Sequence, residues 1–219
     1  MRVLPILFNT EMVRAILDGR KTCTRRICKD ANEYTVPDMD FYNADRRTYA
    51  VHNFSDQEHT EQLSIAERTC PICPGDILYV RETWCALPVN EAGHMRGHSI
   101  YYYRADGDLR PEGWRGKWRP STQMPKEAAR IWLKVTDVRV ERLQEIASEQ
   151  ISREGVEVEY PHVLNGEEKR YAFSTLWNST IKKTDLDRYG LDANPFVWVI
   201  EFEQCEKPEV NFSLSEVKV

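Results

Sequence analysis

The spacing of apolar positions at the start of the chain predicts a short strand followed by a helix. Residues 4–8 form an apolar run typical of a strand. Asn9 follows it, where a side chain can cap a helix N-terminus. The apolar positions between 12 and 17 then recur on one helical face. Gly19 tolerates the left-handed backbone with which helices commonly end, so the helix is expected to stop there.

Four later segments have the short apolar or alternating pattern of strands. They are 77–82, 99–104, 130–140 and 196–202. Helical spacing returns from Leu143 to Ile151, and Gly155 is expected to end that second helix. Residues 31–69 show no sustained periodicity, which predicts an irregular insertion, and 206–219 is expected to be a tail. The pattern therefore predicts one domain over 1–219, an α+β fold in which a small β-barrel carries two main helices.

Composition narrows the class of protein. The chain has 219 residues, 41% hydrophobic and 30% charged, which is the balance of a globular protein. The start of the chain lacks the long apolar core of a signal peptide, and no run approaches the ~18 apolar residues of a membrane helix. We therefore expect a cytoplasmic protein with no membrane partner, whose six cysteines are reduced thiols or metal ligands.

The charge is unevenly distributed along the chain. The net charge of −5 excludes a general attraction to phosphate. The segment from Arg96 to Lys134, however, contains nine basic and four acidic residues, a local net charge of +5, and Tyr and Trp residues lie among them. Cations beside aromatic faces are typical of binding to single-stranded nucleic acid, whereas most such runs are solvated surfaces with packed aromatics. Both interpretations stay open on this pattern.

Several sequence blocks resemble the ASCH-domain family of the PUA-like superfold, and in particular its phage and prophage branch. The first two are 19–26 (GRKTCTRR) and 75–84 (GDILYVRETW). Further blocks lie at 120–130, 135–143, 176–179 and 194–202. The resemblance covers roughly residues 4 to 203, apart from 31–69. It implies a PUA-like, mixed and mostly antiparallel β-barrel whose cleft holds a nucleoside or single-stranded nucleic acid.

The functions of this family are divided, and the resemblance implies three of them. Some members are similar to RNA-binding modules, and one looks like a ribonuclease. A short bacterial member is an amidohydrolase that removes the acetyl group from acetylcytidine without a cofactor. Its catalytic pattern falls on Lys21, Thr24 and Glu154, and Arg26 matches the arginine that follows. The extra length of this chain is consistent with a substrate larger than a free nucleoside.

The chemistry of these residues supports hydrolysis of an amide. Thr24 can act as a nucleophile if a base removes its proton, and Lys21 can be that base if burial and nearby arginines lower its pKa. Glu154 can orient Lys21 or protonate the leaving amine. In an extended strand Lys21 and Thr24 would point to opposite faces, so they converge only if the chain turns between them.

The alternative is a binding module without chemistry. Lys21, Arg25 and Arg26 would then contact phosphate, with the segment 114–119 as a second contact. Glu82 follows an apolar strand and either accepts a hydrogen bond from a base or forms a structural ion pair with a neighbour such as Arg25. The aromatic side chains predicted to bind substrate by stacking, unless they only pack in the core, are Trp84 and Trp118.

Four cysteines leave a zinc site open as an alternative, although we predict no metal. Cys70 and Cys73 have the spacing of half a zinc knuckle. Cys23 and Cys28 would have to supply the other half, and four residues separate them instead of the usual two. Sequence alone does not show whether the two pairs meet, nor what the oligomeric state is.

Overall fold

A computed structural model describes residues 1–31, 35–53, 64–88, 99–112, 116–158 and 167–208. The strands in this part of the chain are β1 (Val3–Leu7), β2 (Cys23–Ile27), β3 (Thr35–Asn43), β4 (Thr48–Asn53), β5 (Ser64–Thr69), β6 (Ile77–Arg81), β7 (Trp84–Pro88), β8 (Ser99–Tyr103), β9 (Trp132–Arg142) and β10 (Phe196–Cys205). The α-helices are α1 (Thr10–Leu17), α2 (Ser148–Arg153), α3 (Glu167–Thr180) and α4 (Leu186–Tyr189). None of the helices in these ranges is long and apolar enough to cross a membrane.

A five-stranded sheet in the order β1-β6-β9-β10-β2 forms the centre of the molecule. The β1–β6 pair is parallel, and the other pairs are antiparallel. The two edge strands approach each other where the guanidinium of Arg26 donates to the carbonyl of Leu7 at 3.0 Å. The sequence predicts an α+β fold with a mixed, mostly antiparallel β-barrel, and its class and strand directions are confirmed. The described β1 and β2 contact each other without forming a strand pair.

Strand β10 is buried on both faces and separates two of the three apolar cores found among the described residues. Trp198 and Ile200 pack in the first core, which α1 and β4 also enter. Val197 and Val199 pack in the second core, which α2 and α3 cover. A continuous apolar run is what a strand needs when both of its faces are covered.

The segment 31–69 differs from the prediction of an irregular insertion. In its described part β3, β4 and β5 form a three-stranded antiparallel sheet. Tyr49 and Val51 of β4 are fully buried in the first core. The β3–β4 register shifts between Asp38 and Asn43, so the sequence has no steady two-residue period there.

The helices also differ from the prediction. Helix α3, with 14 residues, was not expected. Its buried apolar side chains are Phe173 and Trp177, which lie one helical turn apart. The predicted helix from 143 is a 3₁₀ turn (Leu143–Glu145) followed by α2. Most of the predicted tail, 209–219, lies outside the described residues.

Candidate active site

The end of α1 places Lys21 beside the first residues of β2. Asn9 caps the helix by accepting a hydrogen bond from the Met12 N–H at 2.9 Å, and Gly19 ends it with φ +75°. The Lys21 N–H donates back to the carbonyl of Ala15 at 2.9 Å, so the chain turns before β2 begins. Lys21 therefore lies outside the strand, and its side chain lines the same cleft as that of Thr24.

The cleft has a volume of about 360 Å³ and lies along the edge strand β2. One wall, here called the polar wall, is formed by Lys21, Thr24, Arg26 and Glu154. A second part of the lining, here called the apolar wall, comes from α3 and the residue after it: Phe173, Leu176, Trp177, Thr180 and Ile181. Further apolar lining residues are Leu7, Phe8, Met12 and Ile27. The cleft thus brings together all three residues predicted to be catalytic, from two segments 133 positions apart.

Lys21 and Glu154 form a buried ion pair. The Lys21 Nζ donates to the Glu154 Oε2 at 2.7 Å and to the Glu154 backbone carbonyl at 2.8 Å. The other carboxylate oxygen, Oε1, accepts from the Arg25 guanidinium at 3.0 Å. The side chains of Lys21 and Arg25 are each 1% exposed. Both oxygens of Glu154 are therefore engaged with cations, and the ammonium is held in one position.

Burial lowers the pKa of Lys21 from its usual value of 10.5. The positive charge of Arg26 lowers it further, while Glu154 raises it through its charge and its hydrogen bond. The net direction is downward because the cost of desolvating the ammonium is the largest effect. A lysine with a lowered pKa is more readily available as a neutral base.

The hydroxyl of Thr24 accepts a hydrogen bond from the guanidinium of Arg26. The Arg26 Nη1 donates to the Thr24 Oγ1 at 2.7 Å and to the Arg25 carbonyl at 2.9 Å. The two side chains are two residues apart on β2, so they lie on the same face of the strand. Arg26 also stacks over the Phe8 ring at 5.3 Å and has no carboxylate within ion-pair distance among the described residues. It therefore places positive charge beside the threonine hydroxyl.

Arg25, predicted to bind substrate, donates its hydrogen bonds to other side chains of the protein. Besides Glu154, it donates to Glu141 at 3.1 Å and to Gln150 at 3.0 Å. Gln150 in turn accepts from the N–H of Ala147 at the start of α2. Arg25 thus links β2, β9 and α2, and through Glu154 it positions the ammonium of Lys21.

Gly155 allows α2 to approach Lys21. It has φ +83°, and a Cβ at this position would lie 2.7 Å from the Cβ of Ala15 and 3.1 Å from that of Lys21. We expect Gly155→Ala to lower the free energy of unfolding by about 1–2 kcal/mol for the left-handed backbone and by about 1–3 kcal/mol more for the overpacking. Denaturant unfolding measures this loss.

Gly75→Ala is the matched control for Gly155→Ala. Gly75 has the same φ of +83°, and a Cβ added there would have no atom within 4 Å among the described residues. It should therefore show the backbone cost alone. Equal losses in the two variants would contradict the close packing of α2 against Lys21.

The other three residues predicted to bind substrate lie away from the cleft. Glu82 is 1% exposed and forms a paired contact with Arg130, at 3.0 and 3.1 Å, and not with Arg25. Trp84 is buried against Tyr101, with the Arg119 guanidinium over its ring at 5.3 Å. Trp118 lies under two guanidinium groups, those of Arg104 at 5.4 Å and Arg110 at 4.7 Å. Trp114 of the predicted segment 114–119 lies outside the described residues.

The cysteines do not form a metal centre in the part of the chain that the structure describes. No group of three or more His, Cys, Asp or Glu side chains is placed there to hold a metal ion. Cys70 and Cys73 lie in a buried turn, whose Cys73 N–H donates to Asp76 at 3.1 Å. Cys23 is on β2, where its thiol faces the carbonyl of Gln150. Burial raises the pKa of the Cys70 thiol, which favours the protonated form.

The apolar wall is what the sequence analysis missed. Phe173, Leu176, Trp177 and Thr180 are spaced i, i+3, i+4 and i+7, which puts them on one face of a helix. That spacing was the available signal, although the sequence analysis gives 176–179 only as a block of the family resemblance. The α3 face completes the cleft that the polar residues begin.

Comparison with known proteins gives one structural likeness. No protein-family model matches the chain, and no curated protein is significantly similar to it. A crystal structure of an ASCH domain from Lactobacillus crispatus JV V101 aligns with 93% of this chain and 79% of its own chain, at 12% sequence identity and a TM-score of 0.35. This likeness is too weak to indicate a function. The function proposed below is argued from the residues of the cleft.

Proposed function

We propose that the protein hydrolyses an amide on an acylated cytidine, with Lys21 as base, Thr24 as nucleophile and Glu154 as the supporting carboxylate that orients Lys21. The observation that carries the proposal is the contact of Arg26 with the Thr24 hydroxyl at 2.7 Å, in the cleft that also contains the Lys21–Glu154 pair. A nucleophile, a base and a cation for the oxyanion are the three groups that acyl transfer needs. The resemblance to the ASCH family agrees with the same three residues.

The first half of the reaction forms an ester on the protein. Neutral Lys21 Nζ takes the hydroxyl proton as Thr24 Oγ1 attacks the carbonyl carbon of the amide. The carbonyl oxygen becomes an oxyanion, which the guanidinium of Arg26 stabilises. The C–N bond then breaks, and the proton passes from Lys21 to the leaving nitrogen of cytidine. Glu154 keeps the ammonium in place during this transfer.

The second half restores the enzyme with one water. Lys21, neutral again, accepts a proton from the water as its oxygen attacks the acyl-Thr24 ester. The ester bond breaks, the carboxylic acid leaves as a carboxylate, and the proton returns to the Thr24 oxygen. The net reaction consumes one amide and one water and yields one amine, one carboxylate and one proton.

The proposal is tested by turnover of acylated cytidines, with acetylcytidine as the reference, by wild type and by Thr24→Val. Valine keeps the shape of threonine but has no hydroxyl, so we expect kcat to fall by at least about 100-fold. Release of cytidine is followed by chromatography. An acyl-protein ester trapped at acid pH on wild type, and absent from Thr24→Val, would identify Thr24 directly.

Thr22→Val is the matched control. Thr22 lies two residues earlier, outside the cleft lining, where its hydroxyl accepts from Arg153 at 3.1 Å. We expect turnover within about threefold of wild type. The proposal fails if wild type releases no cytidine from any acylated cytidine, or if Thr24→Val is as active as Thr22→Val.

A second candidate function, binding of single-stranded nucleic acid, is favoured by the arginines that stack on tryptophan outside the cleft. Arg104 and Arg110 lie over Trp118, and Arg119 lies over Trp84. Arg104 and Arg110 both pair with Asp108. Arg119 is exposed and has no carboxylate within ion-pair distance among the described residues, so its charge is available to a phosphate. Guanidinium groups beside aromatic rings provide both contacts that a single strand uses.

We expect Arg119→Ala to weaken binding of a single-stranded oligonucleotide and to reduce the slope of log K against log salt by about 0.7. Fluorescence anisotropy at several salt concentrations measures both quantities. Arg188→Ala is the control, because Arg188 is an exposed arginine stacked on Tyr189, on another element. Equal slopes in the two variants would exclude Arg119 as a phosphate contact.

A further inference from the structure

The two walls of the cleft have opposite chemical character. The polar wall carries two basic side chains, a hydroxyl and a carboxylate, whereas the apolar wall is lined by large hydrocarbon and aromatic side chains from α3. Leu7, 43% exposed, extends the apolar lining from the end of β1 on the other side of the opening. A ligand that fits both walls has one polar end and one hydrocarbon part.

The polar groups on the apolar wall are already used within the protein. The Trp177 indole N–H donates to the carbonyl of Tyr189 at 2.8 Å. The Thr180 hydroxyl donates to the carbonyl of Trp177 at 2.7 Å. Phe173 and Leu176 have no polar side-chain atoms. This wall therefore offers no hydrogen-bond donor to the edge of a nucleobase, and it suits a hydrocarbon group.

The polar wall, by contrast, has donors left over. The Arg26 guanidinium has five N–H groups. Three of them go to Thr24, to the carbonyl of Arg25 and to the carbonyl of Leu7. The remaining two have no partner among the described residues, so they are available to an oxyanion or to the carbonyl of a base. The reacting amide and the base thus belong on this side.

We infer that the acyl group of the substrate is longer than acetyl and that its hydrocarbon chain lies along the apolar wall formed by α3. This inference rests on the proposed function, because it takes the acyl carbonyl to sit at Thr24. Thr24 and the apolar wall line the same cleft, so an acyl chain attached at Thr24 has this wall within the cleft. An acetyl group would leave the exposed part of that wall, formed by Leu176, Thr180 and Ile181, in contact with water, at a cost in hydrophobic free energy.

The length of the apolar wall predicts the length of the acyl chain that it can contact. From Phe173 to Thr180 the helix extends for about 10 Å, which matches an extended chain of roughly eight carbons. Each methylene that the wall removes from water is expected to improve binding by up to about fourfold. Chains beyond that length would reach past the wall and gain nothing more.

The test is a series of N4-acylcytidines with acetyl, butanoyl, hexanoyl and octanoyl groups. We expect kcat/KM of wild type to rise by about two- to fourfold per methylene up to octanoyl. Leu176→Ala should reduce the ratio of the hexanoyl value to the acetyl value by at least about threefold. This ratio responds to contact with the chain, whereas a general loss of folding lowers both values together.

Tyr171→Ala is the control for Leu176→Ala. Tyr171 is also a large side chain of α3, but it is 75% exposed and does not line the cleft. Its ratio of hexanoyl to acetyl kcat/KM should equal that of wild type. A ratio that falls equally in both variants would overturn the assignment of the chain to the α3 wall.

Binding of acetate and hexanoate, the products of the shortest and longer substrates, separates this inference from the proposed function. Calorimetric titration of wild type should give a dissociation constant at least about tenfold lower for hexanoate than for acetate. Turnover with no dependence on chain length, and equal affinity for the two carboxylates, would overturn the inference and leave the function standing. Tighter binding of hexanoate without any turnover would overturn the function and retain the acyl-chain site. If the protein shows no turnover and binds neither carboxylate, both the inference and the proposed function are overturned.

Discussion

Lys21→Met is expected to lower the turnover of acylcytidine by about 100- to 10,000-fold, the range of a lost general base. Methionine has a similar length and no ionisable group, and it can stay in the buried position. Glu154 keeps its hydrogen bond from Arg25 at 3.0 Å in this variant, so the carboxylate is not left alone. Steady-state release of cytidine measures the effect, and thermal unfolding checks that the variant is folded.

The pH dependence distinguishes a base from a fixed charge at this position. Only the neutral amine can take a proton, so wild-type kcat/KM should rise with pH and level off at the lowered pKa of Lys21, below 10.5. Lys21→Arg keeps the positive charge but cannot deprotonate. It should be as inactive as Lys21→Met at every pH. An active Lys21→Arg variant would contradict the role of Lys21 as the base.

Glu154→Gln is expected to lower the free energy of unfolding by about 3–5 kcal/mol, the usual cost of removing one member of a buried ion pair. The carboxylate accepts from both Lys21 and Arg25, and its side chain is 7% exposed. Arg25 retains Glu141 after the change, whereas Lys21 is left as a buried ammonium without a carboxylate. Denaturant unfolding at neutral pH measures the loss.

The double variant Lys21→Met/Glu154→Gln serves as the control for this stability effect. Removing both charges leaves no unpaired ammonium, so its loss should be smaller than the sum of the two single losses by about 1–3 kcal/mol. Strict additivity would show that the pair does not interact in the folded protein.

The sign of the pH effect on stability follows from the same lysine. The pKa of Lys21 is lower in the folded protein than the unfolded value of 10.5. The unfolded chain therefore binds more protons between these two pH values, and the free energy of unfolding rises with pH in that window. Glu154→Gln removes the groups that raise the pKa, so the window should widen toward lower pH. Stability that falls with pH there would contradict a lowered pKa of Lys21 in the folded protein.

Local signals in the sequence predicted most of the elements. Asn9 and Gly19 bracket α1 because capping and a positive φ depend on the residue itself and its nearest neighbours. The strands β6, β8, β9 and β10 were predicted to within a few residues for the same reason. Helix α3 and the sheet of β3, β4 and β5 were not predicted. Their buried side chains are few, and they pack against residues that are distant in the sequence.

The polar wall was partly accessible to the sequence analysis. Lys21, Thr24 and Arg26 lie within six residues, so any fold that turns after Gly19 keeps them close together. Glu154 was assigned to them through the family resemblance, since nothing local to residue 154 indicates the contact. For Glu82, whose carboxylate faces Arg130, a structural ion pair was one of the two alternatives that the sequence analysis left open, but with a different partner.

By itself the sequence determined the α+β class, the first helix and its end, and the cluster of reactive and basic residues from 20 to 26. These depend on short-range geometry: caps, a left-handed glycine and the period of buried positions. Only the tertiary structure decided that Glu154 meets Lys21, that Arg25 is used inside the protein and that α3 lines the cleft. Such contacts join segments more than a hundred residues apart, and the packing of the whole chain, not the pattern of any one segment, selects them.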